Sequence, residues 1–307
     1  MRVPNNPSRR SGHPPGPVSG VLTFMALLLF SLLCSTYLMT KRFFRSTLHA
    51  KILLLIFVFS VCLIGTSVIE PIPQNPGFHL FADSRTCLGI LNFGNTISNI
   101  AFAFAGLWGL WTVMSPRKYG LFITQWERWP YIVFFAGIFL VSIGSSYYHW
   151  SPNNERLFWD RLPITIAFMG LFSACIADRL ERPNLIPGIL PINLVLGAGS
   201  VVYWSITEAQ GNGDLRFYGF IQYFPILLLP ILCNFFPQWR HTNGKYLFWI
   251  ITCYGFAVLL EQLDHWLYGL SLGLISGHTL KHLFAALAAF IIIRMVTSSK
   301  RETSCDQ

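Results

Sequence analysis

Nine apolar runs separated by short polar segments organise the chain: 20–39, 52–70, 95–114, 130–149, 157–177, 186–206, 218–236, 246–263 and 274–296. Each is near the roughly 20 residues a helix needs to cross a bilayer's hydrocarbon. Helices are the expected form, because a backbone in lipid must satisfy its own hydrogen bonds. The strict alternation of a membrane β-barrel strand is absent. The pattern therefore predicts an all-α membrane protein. Residues 1–19, rich in Pro, Ser and Arg, read as a disordered tail. With the run after them they imitate a signal peptide, but no clear small-residue cleavage site follows, so 20–39 is read as an uncleaved span.

The positive charges sort by loop. Lys41, Arg42, Arg45 and Lys51 lie in 40–51, Arg117, Lys118 and Arg128 in 115–129, Arg179 and Arg182 in 178–185, and Arg240 and Lys245 in 237–245. Arg294 near the end of the last run, and Lys300 and Arg301 after it, add to them. If each span after residue 52 crosses once, all these groups share one side. The opposite segments, 71–94, 150–156, 207–217 and 264–273, hold only Arg85, Arg156 and Arg216. The Lys/Arg bias predicts a cytoplasmic C-terminus. Arg2, Arg9 and Arg10 resist it, because nine spans would place them outside.

Composition sharpens this picture. Charged residues are 11% of the 307 and hydrophobic residues 53%, with a mean hydropathy of +0.51. A soluble globular chain carries about 25% charge, so lipid is the main solvent. The +9 net charge does not point to nucleic acid, because the basic residues sit between apolar runs as juxtamembrane charges do. Seven cysteines fall mostly inside those runs without a CxxC pair, and read as small buried hydrophobes.

Against this background the ionisable residues inside runs are candidate functional groups. His149 ends one run, Asp160 lies near the start of the next, and "SGHTLKH" (276–282) opens the last. In the predicted topology all three sites fall at the non-cytoplasmic membrane surface. His278 and His282, four apart on a helix, project from one face and can share a zinc ion. His149 is the available third ligand, and three histidines leave an open position for a water whose pKa zinc lowers toward about 7. Asp160 can return to the same pocket as the proton-transferring carboxylate. Ser145, one turn before His149, can bond the water or an oxyanion.

Each residue also has a plainer reading. His149 sits among Tyr147, Tyr148 and Trp150, as in an interfacial aromatic belt. Asp160 and Arg161 suit an interfacial ion pair, Ser145 a small helix contact, and Lys281 a side chain reaching to the surface. Asn95, Ser98 and Asn99 share a face and suit interhelical hydrogen bonding. Glu261 and Asp264 suit partners for a ligating imidazole, or ordinary loop acids. Asp214 and Arg216 suit an ion pair, and His79 and His265 are surplus to a three-ligand site. The convergence at one depth favours the metal reading.

The set Ser145-x-x-x-His149, Asp160, His278-x-x-x-His282 resembles the alkaline ceramidase family, within the membrane hydrolases that include adiponectin-type receptors and Per1-like proteins. The block 81–110, "FADSRTCLGILNFGNTISNIAFAFAGLWGL", is similar to the family's opening, and 261–290 to its closing block. The wording "FADSRT" followed by "LGI" looks most like the ceramidase-like branch. The resemblance covers residues 78–297. It implies a seven-helix core with Zn²⁺ held by His149, His278 and His282. Asp160 would be the general acid/base, and Ser145 would orient water or stabilise an oxyanion.

The implied reaction splits a ceramide-like N-acyl sphingoid lipid into fatty acid and amine. The resemblance divides the chain into a tail (1–19), two extra N-terminal spans (20–70), a hydrolase core (71–297) and a cytoplasmic tail (298–307). It also implies a Ca²⁺ site in an acidic N-terminal cluster. Here that segment supplies Asp83 alone, with Asn92 where a Glu is expected. A zinc-containing receptor without catalysis, a bis-histidine haem protein, and a hydrolase of another lipid bond such as a GPI-anchor ester are the rival readings.

Overall fold

A computed structural model describes residues 48–115, 122, 124–236, 238 and 240–299, with side chains from 52 onward. The chain divides into two units, Met1–Arg45 and Ser46–Gln307. The first, with the run 20–39, lies outside the described residues.

The second unit is built of helices: α1 (Leu48–Val68), α2 (Phe93–Ile97), α3 (Ile100–Met114), α4 (Gln125–Trp150), α5 (Asn154–Arg179), α6 (Ile186–Ala209), α7 (Arg216–Phe235), α8 (Gly244–Gln262), α9 (Asp264–Leu270) and α10 (Gly277–Thr297). The described residues hold no strand, only an isolated bridge between Cys87 and Ile90. Seven helical stretches are long and apolar enough to cross a membrane: α2 with α3, α4, α5, α6 with the short helix before it, α7, α8 and α10. These are the seven later predicted runs, with ends moved by a few residues. The run 52–70 becomes α1, whose apolar part, Ile52–Val68, is shorter. Phe59 packs α1 edge-on against Phe220 and Phe224 of α7, with ring centroids 5.6 and 5.5 Å apart.

Lipid explains the burial pattern. Trp108 and Trp111 on α3, Val195 on α6, and Phe248 and Trp249 on α8 all face outward, as they can where the surrounding solvent is hydrocarbon. The apolar window of α5 is 61% buried and that of α8 only 22%, so α5 runs through the middle of the bundle. Apolar side chains cannot drive helices together in lipid, so close backbone contact has to. Gly137 provides it between α4 and α5: a Cβ there would lie 2.8 Å from the Ala167 amide nitrogen. Asn193 adds a hydrogen bond from α6 to Ser173 of α5, 2.9 Å. The core fills with Phe134, Phe135, Met169, Phe172, Leu232 and Ile292.

The bundle has a polar knot at each end of α5. Near its C-terminus, Asp178 accepts from the amides of Arg240, His241 and Thr242, each at 3.0 Å, and from the Thr242 hydroxyl. Arg179 donates to the Phe236 carbonyl at 3.0 Å and to Thr242. The knot thus fastens the α7–α8 connection to α5. Near the N-terminus of α5 lies the histidine cluster.

Candidate metal centre

Three chain segments meet here because of how their helices begin and end. α4 stops at Trp150, where Ser151 leaves the helical conformation ahead of Pro152. Asn153 then starts α5, its side chain accepting the Arg156 amide at 2.8 Å. This short turn leaves His149 on the last turn of α4. At the other contributor, Ser276 caps α10 by accepting the Thr279 amide at 3.0 Å. Gly277 allows α10 to begin pressed against α8, for a Cβ there would fall 2.1 Å from the Leu260 carbonyl oxygen. Asp264 accepts the His278 amide at 2.7 Å and the Ala82 amide at 2.9 Å. His278 and His282 therefore occupy the first two turns of a firmly seated helix.

The three imidazoles face one another. His149 Nε2 and His278 Nε2 are 3.2 Å apart, and one ring nitrogen from each of His149, His278 and His282 lies within 4.8 Å of the others. All three side chains are buried, with 1 to 4% exposure. Among the described residues this is the only group of three or more His, Cys, Asp or Glu side chains so arranged, and it could hold a metal ion. Buried polar atoms normally have partners. Converging ring nitrogens, and a His149 Nδ1 with no hydrogen-bond partner, mark a donor set built for something other than internal bonding.

Neighbours orient the rings. Ser98 Oγ is 2.7 Å from His282 Nδ1, which leaves Nε2 for a ligand. Glu261 Oε1 is 3.7 Å from His278 Nδ1 and also takes the Lys281 ammonium. Asn95 Oδ1 accepts from the Ser276 and Thr279 hydroxyls at 3.0 and 2.9 Å, joining α2 to α10. The Phe81 ring lies 4.6 Å from both the His149 and His278 rings, and Phe102 lies 5.8 Å from His282. The centre is thus walled by aromatic carbon.

Ser145 is buried one turn before His149, and it lies against the Asp160 carboxyl. Gly144 makes the approach possible, since a Cβ there would sit 2.0 Å from the Trp159 carbonyl oxygen. Asp160 Oδ1 is buried without a hydrogen-bond partner.

One expectation needs correction. Asp160 and Arg161 form no ion pair: the Arg161 guanidinium bonds Gln74 Oε1 at 2.7 Å and stacks over Trp204 and Tyr218, 4.2 and 4.7 Å from their centroids. Consecutive residues of a helix point in different directions, and the aromatic slot is on Arg161's side. Lys281, partly exposed, pairs with the partly exposed Glu261. Other expectations fit. Asp214 and Arg216 pair at 2.8 Å, and Ser98 and Asn95 each bond residues at the start of α10, whereas Asn99 bonds the Asn95 and Thr96 carbonyls of its own segment. His79 engages Tyr148 and Asn154 at 2.9 Å each, apart from the three rings. Phe81 was missed, and Asn92, singled out only for the calcium site, donates to the His149 carbonyl at 2.7 Å. Nothing in their spacing marks them, because they come from a loop.

Comparison with known proteins gives one family: the model described as Ceramidase matches residues 86–307. No curated protein and no solved structure matches the chain.

Proposed function

The chain belongs to the ceramidase family, and from that premise we propose a zinc-dependent membrane hydrolase. It cleaves the amide of ceramide-like N-acyl sphingoid lipids to fatty acid and sphingoid base. The observation that carries the reading is the set of three buried imidazoles with converging nitrogens, beside the Ser145–Asp160 contact. Neutral imidazoles are nitrogen donors well suited to zinc, and three of them leave an open position.

His149, His278 and His282 would hold the ion. A zinc ion bound there supplies a Lewis acid that lowers the pKa of a water toward about 7. Asp160 takes the proton from the attacking water and returns it to the leaving nitrogen. In favour of this role, its Oδ1 is buried and free of internal hydrogen bonds. One water is consumed: its oxygen joins the acyl carbon, the C–N bond breaks, and the proton goes to the amine. The Ser145 hydroxyl, which contacts the Asp160 carboxyl, turns its one hydrogen toward the carbonyl oxygen as that atom gains negative charge. Phe81 and Phe102 exclude bulk water from one side of the rings. The acyl chain lies among the helices, which keeps a long apolar tail in an apolar medium while its amide reaches the centre.

The Lys/Arg distribution supports a cytoplasmic C-terminus and a centre facing the luminal, periplasmic or extracellular side. The core of this hydrolase is 71–297.

The test measures metal content and fatty-acid release from ceramide on purified wild type, His278→Ala and Asp160→Ala. We expect about one zinc in wild type and Asp160→Ala, little in His278→Ala, and release by wild type alone. Zinc without release from any N-acyl lipid would move the reading to another lipid bond or to a receptor. Absence of metal would overturn it.

A further inference from the structure

The calcium site implied by likeness to the eukaryotic ceramidases does not fit this chain. Asp83, the acidic residue available for it, is fully buried and already saturated. Its Oδ1 accepts the Arg85 amide at 3.1 Å and Arg85 Nε at 2.8 Å. Its Oδ2 accepts Arg85 Nη2 at 2.8 Å and the Gly94 amide at 3.1 Å. A carboxylate offers about four lone-pair sites, and here four donors meet them. Asn92, where a second acid is expected, spends its amide on the His149 carbonyl. Among the described residues no group of three acidic or histidine side chains forms a metal-like cluster around Asp83. The family match itself begins at Thr86, just after this pair.

We propose that the Arg85 guanidinium is a built-in cation that replaces calcium, and that Arg85 is thereby a positioning residue for the histidine centre. Arg85 reaches the centre's supports from one loop. Its Nη2 also donates to the Leu274 carbonyl at 2.9 Å, on the connection into α10, and its guanidinium lies 5.6 Å from the Tyr268 ring. Its own carbonyl accepts the Phe93 amide at 3.0 Å, at the start of α2. Through Asp83 it holds Gly94, where a Cβ would lie 2.4 Å from Asp83 Oδ2 and 2.8 Å from Thr279 Oγ1. The same loop carries Phe81 onto His149 and His278 and Asn92 onto the end of α4. A divalent ion in this place would tie the same segments together through oxygen ligands. The arginine does so with a planar fork that needs no ion from solution. Burial alone would push the Asp83 carboxyl up, but the Arg85 hydrogen bonds and charge and the Gly94 amide hold it below the usual carboxylate range.

The experiment uses the full chain in detergent, freed of calcium on a chelating resin and then reloaded with zinc. Tm is followed as Ca²⁺ is raised to about 5 mM, above the range of weak extracellular calcium modules. Zinc release to a chromogenic chelator is timed for wild type, Arg85→Ala and Arg85→Lys. We expect a wild-type Tm that does not move with Ca²⁺. Zinc should leave Arg85→Ala about tenfold faster, as with other outer-shell losses. Arg85→Lys, which keeps the charge without the fork, should fall between. A wild-type Tm that climbs with Ca²⁺ would overturn the proposal. So would zinc release from Arg85→Ala at the wild-type rate. If Arg85→Ala does not fold, Arg85→Lys and the wild-type titration still decide. The positioning half rests on the metal reading of the histidines, whereas the calcium response does not. A protein without zinc would therefore defeat the proposed function and leave the calcium half standing or falling separately.

Discussion

The two polar knots at the ends of α5 are made of the same residue types and do opposite things. At one end Asp178 receives three backbone amides and a hydroxyl, so its charge is fully met from within. At the other, Asp160 keeps a buried oxygen without a partner, and His149 a buried nitrogen. The two aspartates are 18 residues apart on one helix, about 27 Å at 1.5 Å per residue. Satisfied buried polar groups stabilise, and unsatisfied ones cost free energy that must be retained for another reason. The bundle is fastened at the Asp178 end, while the Asp160 end keeps buried polar atoms without partners, as the proposed chemistry requires.

Exchanging each carboxylate for an uncharged group should separate these roles. The largest effect should come from Asp160→Asn. It removes the proposed proton acceptor and should lower hydrolysis by about 10²–10⁴-fold, while Tm and zinc content stay near wild type. A variant that unfolds instead would make Asp160 a structural residue and erase the contrast. Asp178→Ala should do the reverse. Loss of several charge-assisted bonds, with donors left buried, should cost about 3 kcal/mol of stability. Activity per folded molecule should persist. Denaturation in detergent, paired with assays below the transition, reads both quantities.

Helix positions were largely legible in the sequence because a membrane span is a long, uniform signal. The seven later runs became the seven spanning stretches, with ends moved by at most five residues. The histidines were legible as well, because i, i+4 spacing on a helix is a geometric statement in itself. What stayed hidden came from irregular backbone. Phe81 and Asn92 reach the centre, and the Asp83–Arg85 pair the segments around it, from a loop whose path no periodicity encodes. Asn92 does so from left-handed backbone, φ 46°, a conformation Asn tolerates better than most residues. Arg161 illustrates a different limit: its neighbour in sequence suggested an ion pair, but Trp204 and Tyr218, more than 40 positions away, decide where it lies.

A smaller effect should follow from Gly144→Ala, which touches the open end without removing any polar group. The added carbon would fall 2.0 Å from the Trp159 carbonyl oxygen, so α5 must shift away from α4. Overpacking of this kind costs about 2 kcal/mol. The same shift moves Asp160 from Ser145, so activity should fall further than stability does. Gly137→Ala, at the α4–α5 contact nearer mid-membrane, should lower stability comparably with less loss of activity. Equal losses from the two would mean that the closeness of the helices at Gly144 serves packing alone.

The smallest effect should come from Ser98→Ala, and it probes the boundary between the two kinds of knot. The Ser98 hydroxyl stands 2.7 Å from His282 Nδ1 and donates to the Asn95 carbonyl at 3.0 Å. With its hydrogen given to Asn95, its oxygen accepts from His282 Nδ1–H. That tautomer leaves the lone pair on Nε2, facing the other rings. Removing the hydroxyl frees the ring to turn or to take the other tautomer. Zinc affinity should drop about tenfold, or about 1.4 kcal/mol, with Tm of the zinc-free protein nearly unchanged. Competition with a chelator of known affinity measures the first, and a melt after metal removal the second. A fall in the zinc-free Tm with unchanged zinc affinity would mean that Ser98 belongs to the fastening of α2 onto α10. The satisfied kind of knot would then extend up to the histidines themselves.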